Sequence, residues 1–261
     1  MQLTSFASGS RGNCYLLSEQ DRHILLDAGI SMKRVKDGLS LSGLTPEQLS
    51  GILITHEHSD HISGLSMLCK HYHLPVYAPR TVARHLRQAA PGVEACLREI
   101  PVGEAFSLAG FCVTAFPTPH DTEQSVGYRV EGERIFALAT DMGQVTPAVE
   151  AGLRGADAVL IEANHDLHML ARGPYPYHLK QRILSPHGHL SNDDCARLAA
   201  MLAEQGTRCI ILGHLSRDNN SPALAYQRVS RALEGMDVHL CTAPANEPLR
   251  LDLGRSEACC R

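Results

Sequence analysis

The stretch THEHSDH, residues 55 to 61, decides how this chain folds and what it does. It places three histidines and two acids within six consecutive positions, 56 to 61. Such side chains are rarely buried without partners, and only the aspartate favours a turn. Packed together in water, they would gain little free energy. The stretch therefore indicates that something positively charged binds at its centre.

Apolar patterns flank this stretch on both sides. The residues GILIT (51–55) form a predicted buried strand, and HISGLSMLCKHY (61–72) carries apolar residues at helical spacing. A short helix with a capping-box pattern is predicted at LTPEQL (44–49). The histidine cluster is therefore expected on the turn between a strand and a helix.

Strand patterns dominate the first part of the chain, and strand–helix units recur to its end. A hairpin is predicted from NCYLLS (13–18) and HILLD (23–27), which flank a polar turn. The clearest capped helices are 191–205 and 221–235. No repeat and no shift in composition marks a linker. The sequence therefore predicts one domain of the α/β class over residues 1–261.

One segment breaks this alternation. The residues NHDLHMLARGPYPYHLKQRILSPHGH (164–189) show no clear period and include five histidines. A long irregular segment inside a compact domain is usually functional. We therefore predict a functional loop here. The remaining strands are predicted at 75–79, 111–116, 126–130, 135–140, 157–163 and 209–213, with two more between 237 and 253.

The composition limits the possible functions. With 261 residues, 44% of them apolar, the chain is long enough for a substantial core. A net charge of −4 gives no overall basic surface, so a nucleic-acid substrate needs a local basic patch. No apolar run reaches the ~18 residues of a membrane span, and no secretory leader is recognisable. The nine cysteines show no C-x-x-C spacing, which predicts a reduced, cytoplasmic protein.

The residue types of the cluster point to divalent metal ions. Zinc, iron and manganese accept imidazole and carboxylate ligands. Four such side chains in one turn are too many for one tetrahedral ion and fit two ions that share a site. Sites in α/β sheets gather at the carboxyl ends of strands. Three further candidates stand at predicted strand ends: His120, Asp141 and His214.

The motif H-x-H-x-D-H, here His56, His58, Asp60 and His61, resembles the central motif of the metallo-β-lactamase superfamily. The resemblance spans nearly the whole chain and implies an αββα sandwich, with two mixed sheets face to face and helices outside. It also places Asp27 behind the motif as a support. The implied ligands of two divalent ions (Zn, Mn or Fe) are His56, His58 and His120 for one, Asp60, His61 and His214 for the other, and Asp141 as the bridge.

Two ions about 3.5–4 Å apart lower the pKa of a bridging water and clamp the attacking and leaving oxygens. This suits hydrolysis of phosphodiesters, with a metal-bridging hydroxide as the nucleophile. The superfamily also hydrolyses lactams, thioesters and lactones, and one branch performs redox chemistry with iron. His58 stands where the redox branch has an acid, and the best-known lactamases lack a histidine at the position of His61. The motif leaves thioesterases open.

The second half of the chain resembles the nuclease branch, which includes the tRNA 3′-processing endonucleases. The similar segments are IEANHD (161–166), GHLSN (188–192) and LGHLS (212–216). In that branch a glutamate and a histidine assist proton delivery to the leaving oxygen, and they match Glu162 and His189. A histidine is suited to this role. The predicted catalytic residues are these two and Asp60.

Several stretches of the chain resemble the compact YycJ/WalJ-like group of this family. The stretches GSRGNCYLL, EANHD, GPYP, GHLSN and GHLSRDNNSP carry the resemblance. The chain has no room for the tRNA-gripping arm of the processing enzymes or for the large insertion of the β-CASP branch. It also lacks the S-R-Y that follows their last histidine. The resemblance implies a DNA exonuclease that acts from 5′ to 3′.

A DNA substrate would need cations and aromatic rings outside the ligand cluster. The candidates are Arg172, Tyr175, Lys180, Arg217 and Asn219. The loop at residues 8–13 could present backbone N–H groups to an anion.

Two alternatives to the exonuclease stay open. One is a hydrolase of a small cyclic phosphodiester, thioester or lactone. The other is a metal-holding regulator that binds a partner protein, which predicts a buried or incomplete site. The sequence leaves the oligomeric state open.

Overall fold

The computed structural model describes residues 1–253, in which two seven-stranded sheets are formed. The strands of the first sheet are β1 (Gln2–Ala7), β2 (Cys14–Glu19), β3 (Arg22–Leu26), β4 (Gly51–Leu53), β5 (Val76–Pro79), β6 (Leu97–Ile100) and β14 (Leu249–Asp252). Their spatial order is β14-β1-β2-β3-β4-β5-β6. Pairing is antiparallel from β14 to β3 and parallel from β3 to β6.

The second sheet repeats this mixed pattern. Its strands are β7 (Ala105–Leu108), β8 (Phe111–Thr118), β9 (Ser125–Glu131), β10 (Ile135–Ala139), β11 (Ala158–Glu162), β12 (Cys209–Gly213) and β13 (His239–Thr242). They lie in the order β13-β12-β11-β10-β9-β8-β7. Pairing is antiparallel from β7 to β10 and parallel from β10 to β13.

Helices follow the strands of both sheets. They are α1 (Met32–Leu41), α2 (Ser59–Ile62), α3 (Leu65–Tyr72), α4 (Arg80–Ala89), α5 (Pro147–Leu153), α6 (Leu167–Arg172), α7 (Tyr177–Ile183), α8 (Asn192–Glu204) and α9 (Pro222–Ala232), with a 3₁₀ turn at Pro46–Gln48. The predicted caps are confirmed at the last two helices. The Ser191 hydroxyl accepts from the N–H of Asp194 at 3.1 Å, and the Ser221 hydroxyl accepts from that of Leu224 at 3.2 Å.

Three apolar layers hold these elements together. Alternate residues of the two sheets, such as Leu17 and Tyr128, pack against each other between the sheets. The other face of the first sheet packs against α1, α3 and α4, and that of the second sheet against α5, α8 and α9. Period-two alternation gives each sheet two apolar faces, one for the facing sheet and one for helices. The predicted αββα sandwich is confirmed.

Two local predictions need correction. The helix predicted over 61–72 is broken into α2 and α3, because Gly64 packs against the segment that follows β3. Its N–H donates to the carbonyl of Ala28 at 2.9 Å, and a Cβ there would lie 2.1 Å from the carbonyl oxygen of Ile30. The segment 164–189, predicted as a loop, contains α6 and α7. None of the helices in the described part of the chain combines the length and the apolar character needed to cross a membrane.

Candidate metal centre

Strand β4 ends directly before the histidine cluster, and the chain then turns into α2. His58 is the N-cap of this helix and keeps an extended backbone, with φ −63° and ψ 147°. His56 and His58 therefore lie on the extended segment, while Asp60 and His61 lie in the first helical turn. Both His56 and His61 are buried, and the other two are partly exposed. The change from extended to helical backbone brings all four side chains to one place.

Three strands, one in the first sheet and two in the second, are followed by residues with left-handed backbone. Asp27 follows β3 with φ 59°, Asp141 lies just beyond β10 with φ 56°, and His214 follows β12 with φ 54°. This conformation costs a non-glycine residue about 1–2 kcal/mol, and such strain concentrates at functional sites. All three side chains contact the cluster, so the strain occurs where site residues must be positioned.

The side chains of the two sheets meet around Asp141. Its carboxylate oxygens lie 3.2 Å from Nε2 of His61, 3.5 Å from Nε2 of His214 and 3.7 Å from Nε2 of His120. Nε2 of His120 also lies 3.3 Å from Nδ1 of His58. One carboxylate thus faces histidines from both halves of the chain.

The donor atoms group as the sequence predicted. Sets in which all ligand atoms lie within 4.8 Å of one another include His56, His58 and His120; Asp60, His61 and His214; and His56, His61 and Asp141. Both predicted ligand triplets are therefore brought together in the described part of the chain. The shared Asp141 lies where a bridge between two ions would be needed.

Two buried atoms of the cluster have no hydrogen-bond partner among residues 1–253. They are Nε2 of His56 and Oδ2 of Asp141. The latter lies 3.2 Å from Nε2 of His61, but without the geometry of a hydrogen bond. A buried polar atom left unsatisfied costs about 1–3 kcal/mol. The unsatisfied imidazole nitrogen and carboxylate oxygen face a common space that contains no hydrogen-bond donor. Divalent cations take ligands of this kind, so the site fits them.

Two carboxylates behind the cluster fix the orientation of ligand imidazoles. Asp27 Oδ2 lies 2.7 Å from Nδ1 of His61, and Glu162 Oε1 lies 2.8 Å from Nδ1 of His214. Each Nδ1–H donates to its carboxylate, which leaves the Nε2 lone pair for a metal ion. Asp27 also accepts from the N–H of Thr55 at 2.8 Å. Asp27 thus lies behind the motif, where the sequence predicted it.

Glu162 contacts two histidines at once. The same Oε1 lies 2.8 Å from Nδ1 of His189, and Oε2 accepts from the N–H groups of Met142 and Leu190 at 3.0 and 3.1 Å. The Glu162 side chain is fully buried, whereas that of His189 is 24% exposed. The predicted pair of Glu162 and His189 is therefore in contact. The link from Glu162 to His214 was not foreseen from the sequence.

Opposite charges shift the pKa values across the cluster. Burial lowers the pKa of His214, but Asp141, Asp60 and Glu162 outweigh it and raise the pKa to about 10. Burial raises the pKa of Glu162, but His189 and His214 outweigh it and lower the pKa to about 2. The carboxylates therefore require positive charge beside them. Metal ions meet this requirement when they replace the protons of ligand histidines.

Asn13 supports the cluster from the first sheet, a role that the sequence did not indicate. Its Nδ2 lies 3.1 Å from Nε2 of His61, and its Oδ1 accepts from the hydroxyl of Tyr15 at 3.2 Å. Its backbone N–H donates to the carbonyl of Asp60 at 2.7 Å. Space is tight here, because a Cβ on Gly29 would lie 1.6 Å from that same carbonyl oxygen. The only sequence signal was the stretch GSRGN, whose loop was predicted to bind an anion.

Three of the predicted substrate contacts lie on the helical segment 164–189. The hydroxyl of Tyr175 donates to Asp218 at 2.8 Å, and Nζ of Lys180 donates to the carbonyl of Ala171 at 2.7 Å. Arg172 is exposed at the end of α6. Two of the three side chains therefore already have partners within the protein.

The other two predicted contacts follow His214 and differ in exposure. Arg217 is exposed, whereas Asn219 is fully buried. The carbonyl of Asn219 accepts from the N–H of Asp166 at 2.8 Å, and its Nδ2 lies 3.4 Å from the hydroxyl of Ser216. Asn219 thus stabilises the loop from inside and has no surface for a substrate.

Comparison with known proteins agrees with this geometry. The sequence profile of the Beta-lactamase superfamily domain matches residues 22–214. The chain belongs to the metallo-β-lactamase superfamily. Two curated relatives of this superfamily member are named as exodeoxyribonucleases. YycJ of Bacillus anthracis is 37% identical over 236 residues, covering 90% of this chain and 89% of the relative. WalJ of Streptococcus pneumoniae is 36% identical over 236 residues, covering 89% and 88%.

Solved structures show the same fold. The short form of human tRNase Z aligns with a TM-score of 0.62 and 19% identity, covering 95% of this chain and 98% of that chain. The predicted superfamily, its fold and the hydrolase class are thereby confirmed. Membership of the metallo-β-lactamase superfamily, with the clustered histidines and acids, implies divalent metal ions as cofactors.

Proposed function

We propose that this protein is a 5′-to-3′ DNA exonuclease that works with two divalent metal ions, zinc, manganese or iron. The observation that carries the proposal is the carboxylate of Glu162, which holds His214 and His189 at 2.8 Å each. It ties a partly exposed histidine to the ligand cluster. A leaving alkoxide needs a proton, whereas a thiolate, whose conjugate acid has a pKa of about 8.5, leaves readily without one. The pair therefore favours a phosphodiester over a thioester.

Each residue has a distinct proposed task. The two histidine-rich triplets and Asp141 hold the ions, which would supply Lewis acidity and a nucleophile at neutral pH. Asp27 and Glu162 orient the ligand histidines. His189 donates through Nδ1 to Glu162, so its Nε2 is the atom that delivers a proton to the leaving oxygen.

The DNA substrate is supported by the relatives. YycJ and WalJ are named exodeoxyribonucleases, and the chain covers nearly nine tenths of each. We also propose that residues 1–261 form one catalytic domain and that the protein acts in the cytoplasm.

The test is a paired cleavage assay. The purified protein is stripped of metal, reloaded with Mn²⁺ or Zn²⁺, and given duplex DNA labelled at the 5′ or the 3′ end, beside the Asp60→Ala variant. We expect metal-dependent release of short products from the 5′ end, abolished in the variant. Release from the 3′ end first would reverse the direction. Intact DNA with every metal would reject the substrate, and small cyclic phosphodiesters, thioesters and lactones would be assayed next.

A further inference from the structure

A cavity of ≈ 460 Å³ opens beside the metal centre, and we call it the two-arginine cavity. Its volume lies in the range of about 300–1,000 Å³ that is typical of small-molecule sites. One wall is the loop at residues 8–12, and the other walls are residues 215–222 and 243–246. The cavity bears two cations, Arg11 and Arg217.

Both main walls are fixed to the proposed ligands. The hydroxyl of Ser8 accepts from the N–H of His214 at 2.9 Å, and Arg217 lies three residues further along the chain. Asn13, two residues after Arg11, donates its N–H to the carbonyl of Asp60 at 2.7 Å. The position of the cavity relative to the metal centre is therefore set by the same contacts that hold the ligands.

The charge of the cavity is unbalanced. Arg11 and Arg217 are exposed, and neither forms an ion pair with an acidic side chain among residues 1–253. No acidic residue lines this cavity, although the net charge of the chain is −4. By contrast, Arg182 beside His189 is paired with Asp121. Unpaired guanidinium groups bind phosphate oxygens through two hydrogen bonds.

The cavity also offers apolar surface and a connection to the reacting groups. Leu215, Pro222 and Ala243 contribute apolar lining, against which a sugar or a base can pack. A smaller cavity of ≈ 180 Å³ contains His189 and shares Ser10 and Ser216 with the two-arginine cavity. A nucleic-acid strand that passes over these two serines would therefore place one nucleotide in each cavity.

We propose that the two-arginine cavity binds one nucleotide of the DNA strand next to the scissile phosphodiester, with its phosphate held by Arg11 and Arg217. The proposal rests on the function proposed above and names the part of the substrate that the metal centre does not contact. A nucleotide combines the features that this cavity matches: a phosphate for the cations and a base and sugar for the apolar wall. Arg11 and Arg217 are therefore specificity residues, and they do not take part in the chemical step.

Binding and cleavage are measured separately. Binding of a short phosphorothioate oligothymidine, which resists hydrolysis, to the metal-loaded protein is followed by anisotropy over a range of salt concentrations. For Arg11→Ala/Arg217→Ala we expect affinity to fall about tenfold or more, and the slope of log affinity against log salt to shrink by about 1.4, the contribution of two phosphate contacts on a single strand. The matched control, Arg250→Ala, removes an exposed arginine that lines a different cavity and should change neither the affinity nor the salt slope.

Cleavage supplies the second readout. We expect the ratio of kcat/KM for DNA to kcat/KM for bis(p-nitrophenyl) phosphate to fall about tenfold in the double variant, mainly through KM. Arg11→Lys/Arg217→Lys should restore part of the loss, because lysine keeps the charge and loses the two-pronged contact.

The outcomes separate the two proposals. Equal affinity and an equal salt slope in the double variant, with DNA still cleaved, would overturn the cavity proposal alone. Arginine-dependent binding without any DNA cleavage would overturn the exonuclease and support the cavity as a nucleotide site. If the wild-type protein neither binds nor cleaves DNA, both proposals are wrong.

Discussion

The two sheets supply the metal centre in different ways. The first sheet provides its proposed ligands from one short stretch, residues 56–61, after a single strand. The second sheet provides one residue at a time, from the ends of separate strands or the loops after them: His120, Asp141, Glu162 and His214. One half of the site is thus built by local backbone geometry, and the other half by the alignment of a sheet.

Because of this difference, mutations in the two parts of the site have different structural consequences. A change within 56–61 alters a single turn, whereas a change in the second sheet alters the distance between the residues that the two sheets supply. The two halves meet at Asp141, and they are also joined by hydrogen bonds from β9 to the residues just after β4. Variants at these junctions therefore test whether the halves act together.

The largest effect is expected at Asp141, the carboxylate shared by both halves. Asp141→Asn keeps a residue that tolerates left-handed backbone, so the fold should be preserved. We expect kcat/KM to fall about 10³-fold or more and bound metal, measured by mass spectrometry, to decrease. Asp37→Asn, an exposed acid on α1, is the control. Full metal content with activity within tenfold of wild type would contradict the bridging role.

The next largest effect is expected at Glu162, at the end of β11, and at His189, which contacts it. Glu162→Gln and His189→Ala should each lower kcat about 10²-fold, for different reasons. Glu162→Gln disturbs the ligand His214 and should also reduce metal content, whereas His189→Ala should retain the metal. Measurement of the bound metal in both variants distinguishes these two reasons. If His189→Ala lost as much metal as Glu162→Gln, His189 would be a ligand and not the proton donor.

A smaller effect is expected at Asp27, which lies behind the histidine cluster. Asp27→Asn removes the charge that faces Nδ1 of His61 but keeps the left-handed backbone. We expect metal affinity to fall about tenfold, the lower end of the effect of partners that orient a ligand histidine. Competition with a chelator measures this affinity. An unchanged affinity would mean that the backbone alone orients His61.

The smallest effect is expected where the sheets join. The hydroxyl of Tyr128 on β9 donates to the carbonyl of Ile54, just after β4, at 2.7 Å. Tyr128→Phe should lower the free energy of unfolding by about 1 kcal/mol and leave kcat/KM within twofold. Chemical denaturation measures the change in the free energy of unfolding, and Tyr226→Phe, at an exposed tyrosine, is the control. A large loss of activity would show that this bond also positions the ligands.

The same contrast explains what the sequence could reveal. The stretch THEHSDH was readable because its ligands are neighbours in the chain. The contact between Glu162 and His214 was not, since 52 positions separate them and only the pairing of β11 with β12 brings them together. The burial of Asn219 was hidden for a similar reason, because a polar residue in a loop gives no sign that another loop covers it.

Helix prediction failed where the helices are short. The helices α6 and α7 have six and seven residues, and Gly173, Pro174 and Pro176 lie between them. Too few turns are available for an apolar period to emerge, and the breakers indicate a loop. The long helices α8 and α9 carry serine caps and several turns, and both were predicted.

The pairing of β14 with β1 determines when the first sheet is completed during synthesis. Residues 249–252 pair with residues 2–5, so one edge of the first sheet stays open until the ribosome has added β14. Pairings between such distant segments form late. The walls of the two-arginine cavity at 215–222 and 243–246 are also made late, after every proposed metal ligand has been synthesised. In a nascent chain, the proposed metal ligands are therefore present before the walls of the cavity that we propose to bind a nucleotide are complete.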